Sequence, residues 1–128
     1  MYVCDTHALI YYMAGELPEN LDVIFSDAEN QKAVIYVPSI VIAEALYLRE
    51  RGKVDFHVDE MFSRLEKSGG YFVIVPLNSA VLKLLPNMKK VTEIHDKIIA
   101  ATALLFNSTL ITRDPEIIES GYVKTLWD

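Results

Sequence analysis

Short runs of β-branched and aromatic residues alternate with longer segments of helical periodicity along this chain. The short runs predict strands at residues 2–5, 34–37, 72–75, 109–111 and, with a weaker pattern, 123–126. Strands separated by helices are typical of a parallel sheet with helices on both faces. The expected fold class is therefore α/β, a three-layer sandwich with a central, mainly parallel sheet.

Turn and capping residues indicate where the helices begin and end. Pro38 stops the second strand, Ser39 is a suitable N-cap for the helix that follows, and Gly52 ends that helix. The next helix begins near Val58 and is expected to end at the glycine pair 69–70. These signals divide the middle of the chain without leaving a linker between domains.

The clearest helical pattern spans residues 93–106. Its apolar positions run almost all the way round the predicted helix and include Ile94, Ile98, Ile99, Ala103, Leu105 and Phe106. A helix that is apolar on every side is expected to be buried. The small pair Ala100 and Ala101 would let it pack closely on the sheet.

Four carboxylates lie where predicted strands change into loops or helices. Asp5 ends the first strand and Asp114 follows the fourth, so both are expected at the carboxyl edge of the sheet. Glu44 lies about one and a half turns into the helix after the second strand, and Asp96 begins the helix at 93–106. We expect all four to reach one crevice, where oxygen ligands suit Mg²⁺ or Mn²⁺.

Each acid also has a simpler interpretation, as a helix cap or a favourable charge near a helix start. Glu44 stands out because its neighbours are apolar, so an unpaired carboxylate is unfavourable unless a metal or a base neutralises it. A salt bridge to Lys97 or Arg113 is the alternative. The Thr112 hydroxyl, two residues before Asp114, would bond either that site or the local backbone.

Two histidines and one further acid stand beside these carboxylates. His7 follows Asp5 by two residues and His95 adjoins Asp96, which allows metal or acid–base roles. Packing, or orientation of the neighbouring acid, is the alternative. Glu93 is either an auxiliary acid or a favourable charge at the helix start.

Length, charge and composition narrow the possible classes of protein. The 128 residues fit a single domain, 1–128. The net charge of -6 argues against a broad electrostatic nucleic-acid binder, but bound divalent ions would reverse the potential in an acidic nuclease site. The single cysteine, Cys4, excludes an intramolecular disulfide. No apolar stretch reaches the ~18 residues of a membrane span, and no signal peptide is evident, so a cytoplasmic protein is expected.

Four motifs in order carry a resemblance to a known family. They are D-T-H-A-L-I-Y-Y from Asp5, P-S-I-V-I-A-E-A from Pro38, H-D-K-I-I-A-A-T-A-L-L-F from His95 and L-I-T-R-D from Leu110. Together they resemble the PIN-domain family, especially its VapC-like toxin branch in prokaryotic toxin–antitoxin pairs. The resemblance extends over almost the whole chain, although many members carry Asn or Ser where His7 stands.

This resemblance implies a Mg²⁺- or Mn²⁺-dependent ribonuclease on an α/β sandwich. It implies that the metal ligands, which are also the catalytic acids, are Asp5, Glu44, Asp96 and Asp114, with a supporting hydroxyl on Thr112. The implied reaction is metal-assisted hydrolysis of RNA phosphodiester bonds by one or two ions. The alternatives are an RNA-processing nuclease outside a toxin system and a catalytically silent protein-interaction module. A phosphotransfer domain would need a second Asp close to Asp5.

Large apolar residues near the start of the chain exceed what one core needs. They are Leu9, Ile10, Tyr11, Tyr12 and Met13, together with Tyr47 and Leu48. Core packing is the first interpretation and a partner surface is the second. With the toxin resemblance, this surplus predicts a homodimer that binds a small antitoxin through an apolar groove near the first helices.

Overall fold

A five-stranded parallel sheet forms the centre of the protein in the computed structural model, which describes residues 1–67 and 69–128. The strands are β1 (Tyr2–Cys4), β2 (Ile35–Pro38), β3 (Phe72–Val75), β4 (Thr109–Ile111) and β5 (Thr125–Leu126). Their order is β3-β2-β1-β4-β5, and all four neighbouring pairs are parallel. The α/β sandwich predicted from the sequence is confirmed, with the first four strands starting within one residue of their predicted positions.

Helices connect and cover these strands. They are α1 (Thr6–Ala14), α2 (Glu19–Glu29), α3 (Ser39–Glu50), α4 (Val58–Leu65), α5 (Ser79–Leu82), α6 (Ile94–Leu105) and α7 (Pro115–Ser120), with a 3₁₀ turn at Leu85–Asn87. The helix predicted to reach the glycine pair 69–70 already ends at Leu65; Ser68 lies outside the described residues. None of the helices in the described part of the chain is long and apolar enough to span a bilayer.

Two helices, α2 and α7, were not predicted from the sequence. The signal for α2 is present, because its buried residues Leu21, Phe25 and Ala28 recur at helical spacing. Helix α7 has only six residues and begins with Pro115 directly after its N-cap, Asp114. A segment that short carries almost no periodicity, so only the Asp-Pro start indicates it.

The strand order places a crevice beside β1. The chain moves from β1 to β2 and β3 on one side and then returns to add β4 and β5 on the other. Ligand sites in open α/β sheets form at such a reversal, outside the carboxyl ends of the strands. Asp5 directly follows β1, and Asp114 follows β4 by three residues, so both lie at this edge.

Helix α6 is buried along most of its length but not all round. Ala100, Ala101 and Ala103 are fully buried against the rest of the core, as expected for close packing. The prediction of burial on every side is wrong, because Ile94 and Leu104 are 52% and 42% exposed. This flank of α6 therefore presents apolar surface to solvent.

The apolar residues of α1 are used mainly in the core. Leu9, Ile10 and Tyr12 are buried, and the Tyr12 ring centroid lies 4.7 Å from that of Phe25 and 5.6 Å from that of Phe72. The apolar residues of the first helix, which were predicted to exceed the needs of the core, are thus mostly packed within it. Exposed apolar surface lies on α3 instead, where Tyr47 is 57% exposed.

Candidate functional site: an acidic cleft at the carboxyl edge of the sheet

A cleft of about 560 Å³ opens at the carboxyl edge of the sheet. Its walls come from the ends of β1 and β4 and from α1, α3, α6 and α7. They are lined by Asp5, Thr6, His7, Glu44, Glu93, Asp96, Ile99, Arg113, Asp114 and Pro115. All four acids singled out in the sequence therefore line a single cleft.

Asp5 is both a helix cap and a wall of the cleft. Its Oδ1 accepts a hydrogen bond from the backbone N–H of Ala8 at 2.8 Å, which fixes the start of α1. Burial raises the pKa of the Asp5 carboxyl, while hydrogen bonding to the Thr112 hydroxyl and to Ala8, and the nearby His7, act in the opposite direction. These polar contacts therefore offset part of the effect of burial, which disfavours the negatively charged form of Asp5.

Glu44 faces α1 across the cleft. The hydroxyl of Thr6 donates a hydrogen bond to its Oε1. The salt bridge to Lys97 or Arg113, considered as an alternative, is not formed: among the described residues, ion pairs occur only at Arg64–Glu60 and His95–Glu93. A half-exposed position on the cleft wall and this hydroxyl contact keep the carboxylate solvated without a neutralising base.

Thr112 contacts Asp114 and lies near Asp5. Its Oγ1 accepts a hydrogen bond from the backbone N–H of Asp114 at 3.1 Å, and its hydroxyl acts to lower the pKa of the Asp5 carboxyl. Thr112 is only 1% exposed and is absent from the cleft lining. It therefore holds the backbone at Asp114 and does not face the cleft.

Asp114 repeats the arrangement of Asp5 at the start of α7. Its Oδ1 accepts hydrogen bonds from the backbone N–H groups of Glu116 at 2.9 Å and Ile117 at 3.2 Å. Both acids thus use Oδ1 for helix capping. The second carboxyl oxygen of each makes no such capping contact.

Glu93 and Asp96 line the cleft from the start of α6, and His95 between them lines a neighbouring apolar groove instead. Glu93 is the N-cap of α6, and its Oε2 accepts from the Asp96 backbone N–H at 2.8 Å. Its Oε1 lies 2.6 Å from His95 Nδ1, and this hydrogen bond raises the pKa of His95. Glu93 combines the two roles considered for it, because it is a helix cap that also lines the cleft.

The acids in the cleft repel one another. The pKa of Asp96 is raised to about 7, first by burial and then by the negative charges of Asp114, Glu93, Glu44 and Asp5. A carboxyl group with this pKa is partly protonated near neutral pH. The site therefore carries an excess of negative charge that a cation would neutralise.

The cleft belongs to a known domain type. A family model for the PIN domain matches residues 2–120. This chain belongs to the PIN-domain family. PIN domains are nucleases, and they generally use divalent metal ions. A search of curated proteins gives no match.

Solved structures with the same fold accompany this match. VapBC2 from Rickettsia felis, bound to a DNA fragment from its promoter, has a TM-score of 0.70 and 19% identity over 99% of this chain and 98% of that one. FitAcB from Neisseria gonorrhoeae has a TM-score of 0.61 and 23% identity over 98% and 96%. FitAB bound to the IR36 DNA fragment has a TM-score of 0.60 and 21% identity over 98% and 94%. At these identities the likeness concerns the fold.

The chemistry of this PIN domain's cleft fits a hard divalent cation. Its donors are carboxylate oxygens, which Mg²⁺ and Mn²⁺ prefer, and burial together with their mutual repulsion raises the pKa of Asp96. In residues 1–67 and 69–128, no three His, Cys, Asp or Glu side chains are already arranged as a metal-ligand group. The fit therefore rests on donor type and charge.

Two polar residues of the cleft were missed as site residues in the sequence. Thr6 directly follows Asp5 in the first turn of α1, and this position is the only local signal for it. Arg113 was considered only as a partner for Glu44. Its Nη2 instead donates to the Tyr11 hydroxyl at 2.5 Å, and the side chain lines the cleft.

Proposed function

We propose that this PIN domain is a Mg²⁺- or Mn²⁺-dependent endoribonuclease and the toxin of a toxin–antitoxin pair. The observation that carries the proposal is the convergence of acids on one cleft, where burial and then the negative charges of the other acids raise the pKa of Asp96 to about 7. In this proposal Asp5, Glu44, Asp96 and Asp114 hold the cation. Four acids facing one cleft also weigh against a catalytically silent interaction module.

The side chains of the protein orient the acids and supply the negative charge that attracts the cation. Asp5 and Asp114 each commit Oδ1 to a helix N-terminus, which leaves Oδ2 for a cation. Thr112 fixes the backbone at Asp114, and Thr6 fixes Glu44. When bound, Mg²⁺ or Mn²⁺ supplies positive charge that activates water and offsets charge developing on the phosphate.

No protein nucleophile is required for this hydrolysis. Cys4 is the single thiol of the chain. It is fully buried and burial raises its pKa, so it is inert. The proposed substrate is single-stranded or looped RNA, whose backbone is accessible to an open cleft, in the cytoplasm.

The proposal is tested with purified protein and a fluorescently labelled single-stranded RNA. Cleavage is expected with Mg²⁺ or Mn²⁺ and is expected to stop in EDTA. The Asp96→Asn variant, prepared in the same way, controls for a contaminating ribonuclease. Cleavage that continues unchanged in EDTA contradicts the mechanism.

We further propose that a small antitoxin binds at α3. An apolar groove of about 420 Å³ is lined by Ile40, Ala43, Glu44, Tyr47, Leu48 and His95. Because Glu44 belongs to both the groove and the acidic cleft, an amphipathic segment in the groove would bring a basic side chain to the acids. Of the residues predicted for such a groove, Tyr47 and Leu48 line it. Leu9, Ile10 and Tyr12 of α1 are buried and do not contribute.

Co-expression with the product of an adjoining short reading frame tests this partner. Tyr47→Glu is expected to abolish co-purification, because it places a charge in the groove. Tyr71→Glu is the matched control, since Tyr71 is also exposed but precedes β3 at the opposite edge of the sheet. Co-purification that survives Tyr47→Glu contradicts the groove.

We also propose that the chain is a homodimer, because α6 leaves apolar surface exposed at Ile94, Leu104 and Leu105. Light scattering of the purified chain is expected to give the mass of two copies. A monomer at high micromolar concentration contradicts this proposal.

A further inference from the structure

One cationic side chain faces the acidic cleft from the β4 side. Arg113 is the only Lys or Arg in the cleft lining within the described part of the chain. It adjoins Asp114, yet no carboxylate among the described residues lies within ion-pair distance of its guanidinium. An exposed arginine among acids that pairs with none of them calls for a physical explanation.

The explanation is an aromatic clamp, formed by Tyr11 and Trp127. The Arg113 Cζ lies 5.2 Å from the Tyr11 ring centroid and 5.0 Å from that of Trp127. The two rings meet edge to face with centroids 5.8 Å apart, and Arg113 Nη2 donates to the Tyr11 hydroxyl at 2.5 Å. Cation–π attraction and this hydrogen bond hold the guanidinium away from Asp114.

The clamp is itself anchored to the rest of the fold. Tyr11 lies on α1, whose first turn carries Asp5. The Trp127 carbonyl accepts a hydrogen bond from Asn20 Nδ2 at 3.0 Å, which connects the chain after β5 to α2. Arg113 is therefore held in a defined position relative to the acids.

Such a guanidinium is suited to a phosphate. Arginine has five N–H donors in a planar fork that matches two phosphate oxygens, and only one donor is used by Tyr11. A polyanion that approaches a cleft of carboxylates in a chain of net charge -6 is repelled unless a local cation attracts it. Arg113 supplies that cation without being neutralised by the protein.

We propose that Arg113 binds a phosphate of the RNA strand next to the scissile one, and that Tyr11 and Trp127 are positioning residues that act through it. The inference rests on the proposed ribonuclease function. In this arrangement the substrate backbone runs along the Arg113 side of the cleft, and the bond that is cut lies at the acids.

Binding of a labelled single-stranded RNA to the Asp96→Asn protein, measured by fluorescence anisotropy at several salt concentrations with Mg²⁺, tests the contact. Adding Arg113→Gln is expected to weaken binding about tenfold and to reduce the slope of log affinity against log salt by about 0.7, the loss of one phosphate contact. Arg113→Lys is expected to keep most of the slope and to lose part of the affinity, because lysine lacks the fork.

The matched control for charge is Lys32→Gln. Lys32 is exposed and precedes β2 at the opposite edge of the sheet, so neither affinity nor slope is expected to change. Tyr11→Phe removes only the hydroxyl that accepts from Arg113. It is expected to weaken binding by about threefold, because the guanidinium remains stacked but is less fixed.

Cleavage kinetics in the chain with Asp96 intact separate this inference from the function on which it rests. Arg113→Gln is expected to raise KM and leave kcat within about twofold, because the lost contact is made equally before and during the reaction. If the unsubstituted protein cleaves RNA while Arg113→Gln leaves KM and the salt slope unchanged, the Arg113 inference is overturned alone. A weaker affinity with an unchanged slope assigns Arg113 to packing and also overturns it. If the unsubstituted protein cleaves no RNA, the proposed function itself fails.

Discussion

The two ends of helix α1 have opposite physical character. At its start, Asp5, Thr6 and His7 line the acidic cleft. Near its end, Tyr12 packs against Phe25 and Phe72 in an aromatic cluster. The first end is held by polar contacts and shares its cleft with acids from other elements. The second end is held by apolar burial.

This difference separates stability from function within nine residues of one helix. The aromatic end stabilises the fold through apolar packing, and none of its side chains lines the cleft. The acidic end shares its cleft with Asp96 of α6, whose pKa is raised by burial and by the surrounding acids, so this end is unfavourable without a cation. Substitutions at the two ends should therefore move activity and stability in different directions.

The largest expected effect is on RNA cleavage and concerns the acidic cleft that the start of α1 lines. Asp5→Asn and Asp96→Asn should each lower RNA cleavage by at least about 100-fold, the scale of losing one electrostatic group at a reacting centre. Asparagine at position 5 can still cap α1 through its amide oxygen, so circular dichroism should show an intact fold. Retained cleavage in both variants would assign these acids to structural roles.

The aromatic cluster at the end of α1 should respond in stability. Its member Phe25 of α2 is fully buried, and Phe25→Ala should lower the free energy of unfolding by about 3–5 kcal/mol, because it removes apolar contacts and leaves a cavity. Urea denaturation measures this loss. Val23→Ala, also on α2, is the control, since Val23 is exposed and should change stability by less than about 0.5 kcal/mol.

A smaller effect, opposite in sign to that of Phe25→Ala, is expected when the free energy of unfolding is measured against pH without metal. The folded-state pKa of Asp96, about 7, lies above its ordinary value of 3.8. The folded state therefore binds the extra proton between these values, and this group's contribution to stability falls as pH rises through that range. Asp96→Asn removes the penalty.

In EDTA, Asp96→Asn should be more stable than the unsubstituted protein by about 1–2 kcal/mol near pH 8, after allowance for solvent screening of a half-buried group. Near pH 4 the two should unfold alike. Thermal melts at both pH values measure the difference. A variant that is less stable near pH 8 would show that Asp96 makes a net favourable pairing.

The smallest effect concerns the hydroxyl that orients Glu44. Thr6→Val removes the donor to Glu44 but keeps the shape of the side chain. It should lower the free energy of unfolding by about 0.5–1.5 kcal/mol, the net value of one hydrogen bond. Thr102→Val is a matched control, because its buried hydroxyl bonds only within α6, to the carbonyl of Ile98, and should leave RNA cleavage unchanged. If both variants cleave RNA equally well, Thr6 does not orient Glu44 for catalysis.

Much of the fold and the acidic set was predictable because the relevant signals are local. Strand periodicity located the first four strands within one residue at their starts, and Pro38 and Gly52 bounded α3 to within two residues. The N-cap of α3 is Pro38, however, and not Ser39 as predicted. Asp5 and Asp114 were placed at strand ends by the same local patterns. Parallel strands bring such ends to one edge, so the sequence also indicated that these acids share a crevice.

The remaining features were decided by contacts between distant parts of the chain. Thr6 meets Glu44 across 38 residues, and Arg113 meets Tyr11 across 102. Burial likewise depended on neighbours, which enclosed the aromatic end of α1 and left Tyr47 on α3 exposed. The sequence by itself determined the sheet and the acids at its edge, because periodicity and capping act over a few residues. Only the tertiary structure decided which acid is held by which hydroxyl and why Arg113 remains unpaired, because side-chain contacts exist only after the strands assemble.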